Sequence, residues 1–231
     1  MARRHIMIRP LAGSHAYLGR RLRTNDDDAM EAADETMRLL RECGAILEND
    51  HFVHISKLHI GMWINKDAIF PHVDRLERLT RRLASRARGR QIELVCGPAM
   101  GGLVVGEWMA HELGVMCAFA EHDPSPPPGE LRGRFMLRRG CDQLVAGRNV
   151  LVVDDIVTTG HSIGEVIDAV RNAGGNVIAG ASLISVGPRP PKSLGLDDYF
   201  CLLEYEQPPM WKASECPLCK QGIPINTRFG H

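Results

Sequence analysis

The sequence has no surplus of charge: 28 lysines and arginines face 28 aspartates and glutamates. A nucleic-acid surface needs a clearly basic domain, so that class of partner is not expected. Long apolar runs are missing too. The longest, such as Val150 to Val153 and Val177 to Ser185, fall far short of the roughly 20 residues a membrane helix needs, so no membrane partner is expected. Met1 to Arg23 is rich in arginine and free of acid but holds no continuous apolar stretch, which argues against a secretory signal. It imitates an organelle-targeting peptide, although a basic arm is the simpler reading. The seven cysteines are odd in number, and Cys43, Cys96, Cys117, Cys141 and Cys201 are scattered, mostly in apolar surroundings. That pattern suits reduced thiols in a cytoplasmic protein and not a disulfide framework. No internal repeat is found.

What is present is ordinary for a globular chain: 231 residues, 44% hydrophobic and 24% charged, enough for one core or one domain with a small lobe. Asn25 followed by Asp26, Asp27 and Asp28 reads as a capped helix start, with the acids meeting the positive helix end rather than a metal. Met30, Ala33, Met37, Leu40 and Cys43 follow at helical spacing, up to Gly44. His51 to Ile55 and Met62 to Ile64 read as short strands. Residues 72 to 88 read as a basic amphipathic helix with Val73, Leu76, Leu79 and Leu83 on one side. Its basic face is expected in solvent, with phosphate binding the weaker alternative.

Strand and helix then alternate. Ile92 to Cys96, Val115 to Ala120, Asn149 to Val153 and Asn176 to Val186 are short apolar strands. Leu103 to Leu113 and Ile163 to Ala173 are helices. This order predicts an α/β fold with a parallel sheet covered on both faces. The stretch His122 to Leu144, with Pro124, Pro126, Pro127, Pro128 and Gly129, reads as a long functional loop. Beyond Cys201, several prolines predict an irregular tail.

The sharpest signal is Val150-Leu151-Val152-Val153-Asp154-Asp155-Ile156-Val157-Thr158-Thr159-Gly160-His161-Ser162. An apolar strand stops at two acids, a turn of small hydroxyl residues follows, and a helix begins. Ligands of open parallel sheets bind beyond the carboxyl ends of the strands. Free amides at a helix start attract an anion, and a glycine lets backbone approach it. Two carboxylates beside an anion site make sense if the ligand also carries a vicinal diol, which donates to them, or a magnesium ion. The segment therefore asks for a phosphorylated sugar.

This segment resembles the binding motif for 5-phosphoribosyl 1-pyrophosphate (PRPP) in type I phosphoribosyltransferases. The resemblance implies that Asp154 and Asp155 hold the ribose hydroxyls and that Thr158, Thr159, Gly160 and Ser162 wrap the 5-phosphate. Cys96-Gly97-Pro98-Ala99-Met100-Gly101-Gly102 is similar to the family's pyrophosphate loop, which makes Pro98, Ala99, Met100, Gly101 and Gly102 candidates. His51-Phe52-Val53-His54-Ile55-Ser56-Lys57 and Ile64-Asn65-Lys66-Asp67 resemble the N-terminal hood of orotate phosphoribosyltransferases, where a lysine near Lys57 reaches PRPP. Glu215-Cys216-Pro217-Leu218-Cys219-Lys220-Gln221-Gly222-Ile223-Pro224 resembles the C-terminus of the bacterial orotate enzymes. The expected architecture is a type I phosphoribosyltransferase fold with an N-terminal hood. A basic arm spans 1–24, a helix and hood 25–90, the PRPP-binding core 91–200, and a strand with an irregular tail 201–231.

The sequence departs from the orotate pattern at three places. No lysine occurs from Phe119 to Gly147, so the loop that closes over pyrophosphate lacks its usual cation. His122, Arg132, Arg134, Arg138 and Arg139 are the replacements, with Arg138 or Arg139 expected to stabilise the leaving pyrophosphate. Met100-Gly101 stands where a lysine is usual. Arg189 is shifted by one position from the arginine that contacts the orotate carboxylate. Cys216 and Cys219 supply two thiolates where a structural zinc takes four ligands, and a turn with buried thiols is the preferred reading. Two functions follow. The first is transfer of phosphoribose to a nitrogenous base, orotate first, in a cytoplasmic homodimer with Mg2+ carried on PRPP. The second, favoured by the missing lysines, is a non-catalytic PRPP or nucleotide sensor of the same fold.

Overall fold

The computed structural model describes residues 27–54, 56–125, 132–187 and 194–229. The basic arm, the Asn25 cap, Gly129, Arg189 and His231 lie outside the described residues. Helix α1 spans Asp27–Glu42 and buries Ala33, Leu39 and Leu40. Strands β1, Ile46–Val53, and β2, His59–Ile64, form an antiparallel hairpin with an irregularity between Glu48 and Phe52. Helix α2, Val73–Ala87, turns Leu76, Leu79, Thr80, Leu83 and Ala84 inward at the spacing of one helix face. Its basic face stays largely in solvent, as expected, and also makes ion pairs: Arg78 and Arg82 both pair with Glu35 of α1, and Arg81 pairs with Glu77 and with Glu112.

The core is built from β3 (Leu94–Pro98), α3 (Gly101–Leu113), β4 (Met116–His122), β5 (Phe135–Leu137), α4 (Cys141–Val145), β6 (Asn149–Val157), α5 (His161–Asn172), β7 (Asn176–Val186) and β8 (Tyr199–Tyr205). They form a six-stranded sheet in the order β5-β4-β3-β6-β7-β8. Every pairing in it is parallel except β4 with β5. Alternation along the strands divides the interior in two. Val95, Leu151 and Val153 pack on one face with α1, α2 and α3, whereas Leu94, Cys96, Val150 and Val152 pack on the other with α4 and α5. Each such side chain contributes about 1.5–3 kcal/mol on burial, so the doubly covered sheet is the main source of stability.

One feature was not expected from the sequence: the long loop returns through β5. The C-terminal strand is present as the edge strand Tyr199–Tyr205, beginning two residues earlier than expected, and the tail beyond it is not wholly irregular. Strand β9, Met210–Trp211, adds to the hairpin to give a second sheet in the order β1-β2-β9, and α6, Pro217–Lys220, follows. The prolines interrupt regular pairing without preventing these short pieces. Among the described residues no helix is long and apolar enough to cross a membrane.

Candidate active site

Strands β3 and β6 are neighbours, but their following helices cover opposite faces of the sheet. The chain direction therefore splits between them, and such a switch point opens a crevice at the carboxyl ends of the strands. A cavity of about 790 Å³ lies there, between the end of the main sheet and the smaller sheet. Asp154, Asp155, Thr158, Thr159 and Ser162 line it from β6 and its turn, and Pro98, Ala99, Met100 and Gly101 line it from β3. The sequence candidates from the two loops thus converge on one space, except that Gly102 and Gly160 are not among its lining residues.

Asp154 and Asp155 are 7% and 2% exposed, an unusual degree of burial for adjacent acids. The local backbone holds them. Asp155 N donates to Asp154 Oδ1 at 2.9 Å, and Ile156 N donates to Asp155 Oδ1 at 2.6 Å. Burial first, and the neighbouring Asp155 second, push the Asp154 carboxyl well above the usual carboxylate range. The second Asp155 oxygen accepts from Lys66 Nζ at 2.8 Å. Burial alone would lower the lysine pKa, but Asp155, with Asp67 and Asp154 behind it, outweighs that and raises it.

The turn after β6 is shaped by its backbone. Gly160 sits at φ +79 and caps α5, a conformation that strains any side chain with a Cβ. At the start of this 12-residue helix His161 N donates to Thr159 Oγ1 at 3.3 Å, and Thr158, Thr159 and Ser162 line the cavity. Gly101 answers a different demand, close approach. A Cβ there would collide with the Asp155 carboxylate and crowd Lys66 Nζ. The Ala99–Met100 peptide is cis, and Met100 is 74% exposed.

The basic candidates divide. His122 lines the cavity, stacked on Phe135 with ring centroids 3.9 Å apart. Its Nδ1 donates to the Gly133 carbonyl at 2.7 Å, which leaves Nε2 as the free ring nitrogen when the ring is neutral. Lys57 is exposed on the β1–β2 turn at φ +65 and is not among the lining residues. Lys66, just past the end of β2, does line the cavity. Arg138 and Arg139 do not line the cavity either. Strand β5 runs antiparallel, with Phe135 beside His122 and Leu137 beside Ala120, so the chain is already leaving the carboxyl end when it reaches them. Both pair with Glu121, at 3.7 and 3.2 Å. Arg132, before β5, does line the cavity, as do Arg228 and Phe229 from the C-terminal segment. Lys66 was visible in the sequence as part of the hood resemblance; nothing in the sequence pointed to Arg228.

The phosphoribosyl transferase domain family matches residues 67–206. The orotate phosphoribosyltransferase of Pelotomaculum thermopropionicum is 37% identical over 191 residues, spanning 83% of this chain and 94% of that protein. The chain belongs to the phosphoribosyltransferase family. The orotate phosphoribosyltransferase of Caldanaerobacter subterraneus subsp. tengcongensis is 34% identical over 183 residues, 78% of this chain and 88% of its own. Among solved folds, the Mycobacterium tuberculosis orotate phosphoribosyltransferase in complex with Fe(III) dicitrate superimposes with a TM-score of 0.58 at 20% identity, over 77% of this chain and 96% of that one. The Aeropyrum pernix orotate phosphoribosyltransferase gives 0.57 at 22% identity, over 72% and 92%. These two likenesses carry the type I phosphoribosyltransferase fold.

Proposed function

We propose that this phosphoribosyltransferase is an orotate phosphoribosyltransferase. A ring nitrogen of orotate attacks the anomeric carbon of PRPP, the bond from that carbon to pyrophosphate breaks, and pyrophosphate leaves. The observation that carries this reading is the buried Asp154–Asp155 pair at the floor of the cavity, beside the α5 N-terminus. A phosphate alone would be repelled by those acids; a phosphate joined to a diol satisfies both halves of the site.

In this reading Thr158, Thr159, Gly160 and Ser162 hold the 5-phosphate, and Asp154 and Asp155 accept hydrogen bonds from the ribose hydroxyls. Pro98 to Gly102 present backbone to the pyrophosphate. Lys66, already bonded to Asp155, replaces Lys57 as the hood lysine, and Arg132 replaces Arg138 and Arg139 as the cation facing the leaving group. His122 lies at the same edge. Arg228 offers the base carboxylate a guanidinium, whose planar fork suits that group. The pyrophosphate loop has Met100 and no cation of its own, so oxygen ligands of the substrate suit a Mg2+ ion that PRPP brings with it. When bound, that ion offsets charge on the departing pyrophosphate. The protein's own share is positioning and electrostatic stabilisation.

The same reading places the enzyme in the cytoplasm as a homodimer, whose mass light scattering measures. The sensor alternative is weaker, because the relatives matched over most of their length are named as transferases. Steady-state pyrophosphate release with PRPP, Mg2+ and a panel of pyrimidine and purine bases decides. Orotate is expected to sustain turnover. Turnover with another base alone would overturn the orotate assignment, and binding of PRPP without turnover on any base would favour the sensor.

A further inference from the structure

Away from the Asp154–Asp155 floor, four side chains from two distant parts of the chain meet at one point. His51 of β1 and His59 of β2 stand on the same face of the hairpin, since the register pairs Phe52 with Ile60 and Val53 with His59. Cys216 caps α6 and Cys219 follows within it, giving the C-x-x-C spacing of a metal knuckle. Their donor atoms all lie within 4.8 Å of one another. Cys216 Sγ and Cys219 Sγ are each 3.8 Å from His51 Nε2, and Cys219 Sγ is 3.3 Å from His59 Nδ1. Zinc bonds of about 2.0–2.1 Å to nitrogen and about 2.3 Å to sulfur give a tetrahedron whose nitrogen–sulfur edge is about 3.6 Å. The three nitrogen–sulfur edges bracket that length, and the nitrogen–nitrogen edge of 2.7 Å must widen to about 3.3 Å as the ion enters.

The surroundings fit a metal as well as the distances do. His51 Nδ1 lies 2.8 Å from the Ile223 carbonyl, which only accepts, so Nδ1 carries the hydrogen and Nε2 turns its lone pair to the cluster. Such an outer carbonyl is the usual partner that orients a metal-bound imidazole. His51 Nε2 and His59 Nδ1 face each other at 2.7 Å in a place where His51 is 1%, His59 7% and Cys216 0% exposed. Three buried donors, with Cys219 closing the set from the outer side, converge on one point and suit a cation, and two imidazoles with two thiolates in a tetrahedral set select zinc.

We infer that His51, His59, Cys216 and Cys219 bind one zinc ion that fastens the C-terminal segment to the β1–β2 hairpin. The site does no chemistry. It fixes α6 over Gly61, where Leu218 Cδ1 would lie 3.8 Å from a Cβ, and the chain beyond it runs on to Arg228 and Phe229 in the cavity wall. Asn226 strengthens the same junction, donating from its backbone to His51 O at 2.7 Å and from its side chain to Asp50 Oδ2 at 2.6 Å.

The test is elemental and spectroscopic, and independent of turnover. The full chain, purified under reducing conditions without added metal, is expected to carry about one zinc per chain. Cys219→Ser, at the outer side of the cluster, is expected to lose it while still folding. Chelation should lower the melting temperature of the native chain and leave that of Cys219→Ser unchanged. Because a ligand variant can fail for other reasons, the native chain is also stripped and reloaded with Co2+. Intense visible bands of tetrahedral cobalt with thiolate charge transfer are expected. A native chain free of zinc that gives only the weak spectrum of hydrated cobalt overturns the site. So does a Cys216–Cys219 disulfide that persists under those reducing conditions.

Discussion

The ammonium of Lys66 lies 2.8 Å from Asp155 Oδ2, 89 residues further along the chain. It ties the smaller sheet to the floor of the cavity and occupies one of the carboxylate oxygens that a ribose hydroxyl would use. Lys66 is 42% exposed at its side chain and Asp155 only 3%, so the two partners do not lose equally if the pair is broken. Lys66→Met leaves a buried carboxylate alone. A stability loss of about 1 kcal/mol is expected, at the low end for a charged pair because water screens the lysine. In a double-mutant cycle, Asp155→Asn should remove most of that loss, as chemical denaturation can measure. Additive effects would show that the contact carries no energy.

Asp154 sets a pH dependence of the opposite kind to a salt-bridged acid. Its carboxyl is held well above the ordinary 3.8, by burial and then by Asp155. The fold keeps a proton that the unfolded chain releases, so this stabilising contribution is full below about pH 3.8 and is lost as pH rises through the folded value. Asp154→Asn keeps a neutral group at all pH. Native stability relative to that variant should fall by about 1.4 kcal/mol per pH unit across the window and then level off. Denaturant melts of both proteins from pH 4 upward check the slope. Above the folded pKa, where Asp154 is ionised, the same variant should bind PRPP roughly tenfold or more weakly, having lost a charge-assisted bond. A flat stability difference would mean that Asp154 is ionised throughout.

The phosphate turn separates backbone from side chain. Gly160→Val should abolish ribose 5-phosphate binding, since φ +79 is strained for a branched residue and the cap of α5 would shift. Ser162→Ala removes one donor among several and should cost about 0.5–1.5 kcal/mol, roughly 2- to 12-fold in affinity. Calorimetric titration compares them. Equal losses would place the phosphate on the hydroxyls and not on the amides.

The leaving group distinguishes three arginines. Arg132→Gln should lower kcat far more than it raises KM for PRPP, as loss of a contact made mainly in the transition state does. Arg138→Gln and Arg139→Gln, whose guanidinium groups are engaged by Glu121, should leave turnover within about twofold. If turnover collapses instead in His122→Ala and survives in Arg132→Gln, the histidine carries the role.

The floor of the site was legible in the sequence because it is local. Val150 to Val153 end at Asp154 and Asp155, and the turn that needs Gly160 follows at once. The rim was not, because it depends on where strands end and which way they run. A basic residue was evident in the hairpin, but its turn points Lys57 to solvent, while the end of β2 points Lys66 inward. Arg138 and Arg139 read as cavity residues until β5 is seen to run away from it. Cys216 and Cys219 read as a turn with buried thiols because the two histidines beside them lie far away in sequence, His51 being 165 residues from Cys216. No spacing rule spans that distance, and histidines in a hairpin have no signature of their own.

Strand β9 joins β2 through the His59–Trp211 pair, across the whole six-stranded sheet in sequence. Closing so long a loop is entropically unfavourable until the intervening chain has condensed. The hairpin of β1 and β2 can form early from neighbouring residues, but its third strand must wait for the core. The wall that carries Arg228 is therefore the last part of the cavity to assemble during folding and the first to open on partial unfolding. Amide exchange at Trp211 should accordingly run ahead of exchange at Val152, in the centre of the main sheet.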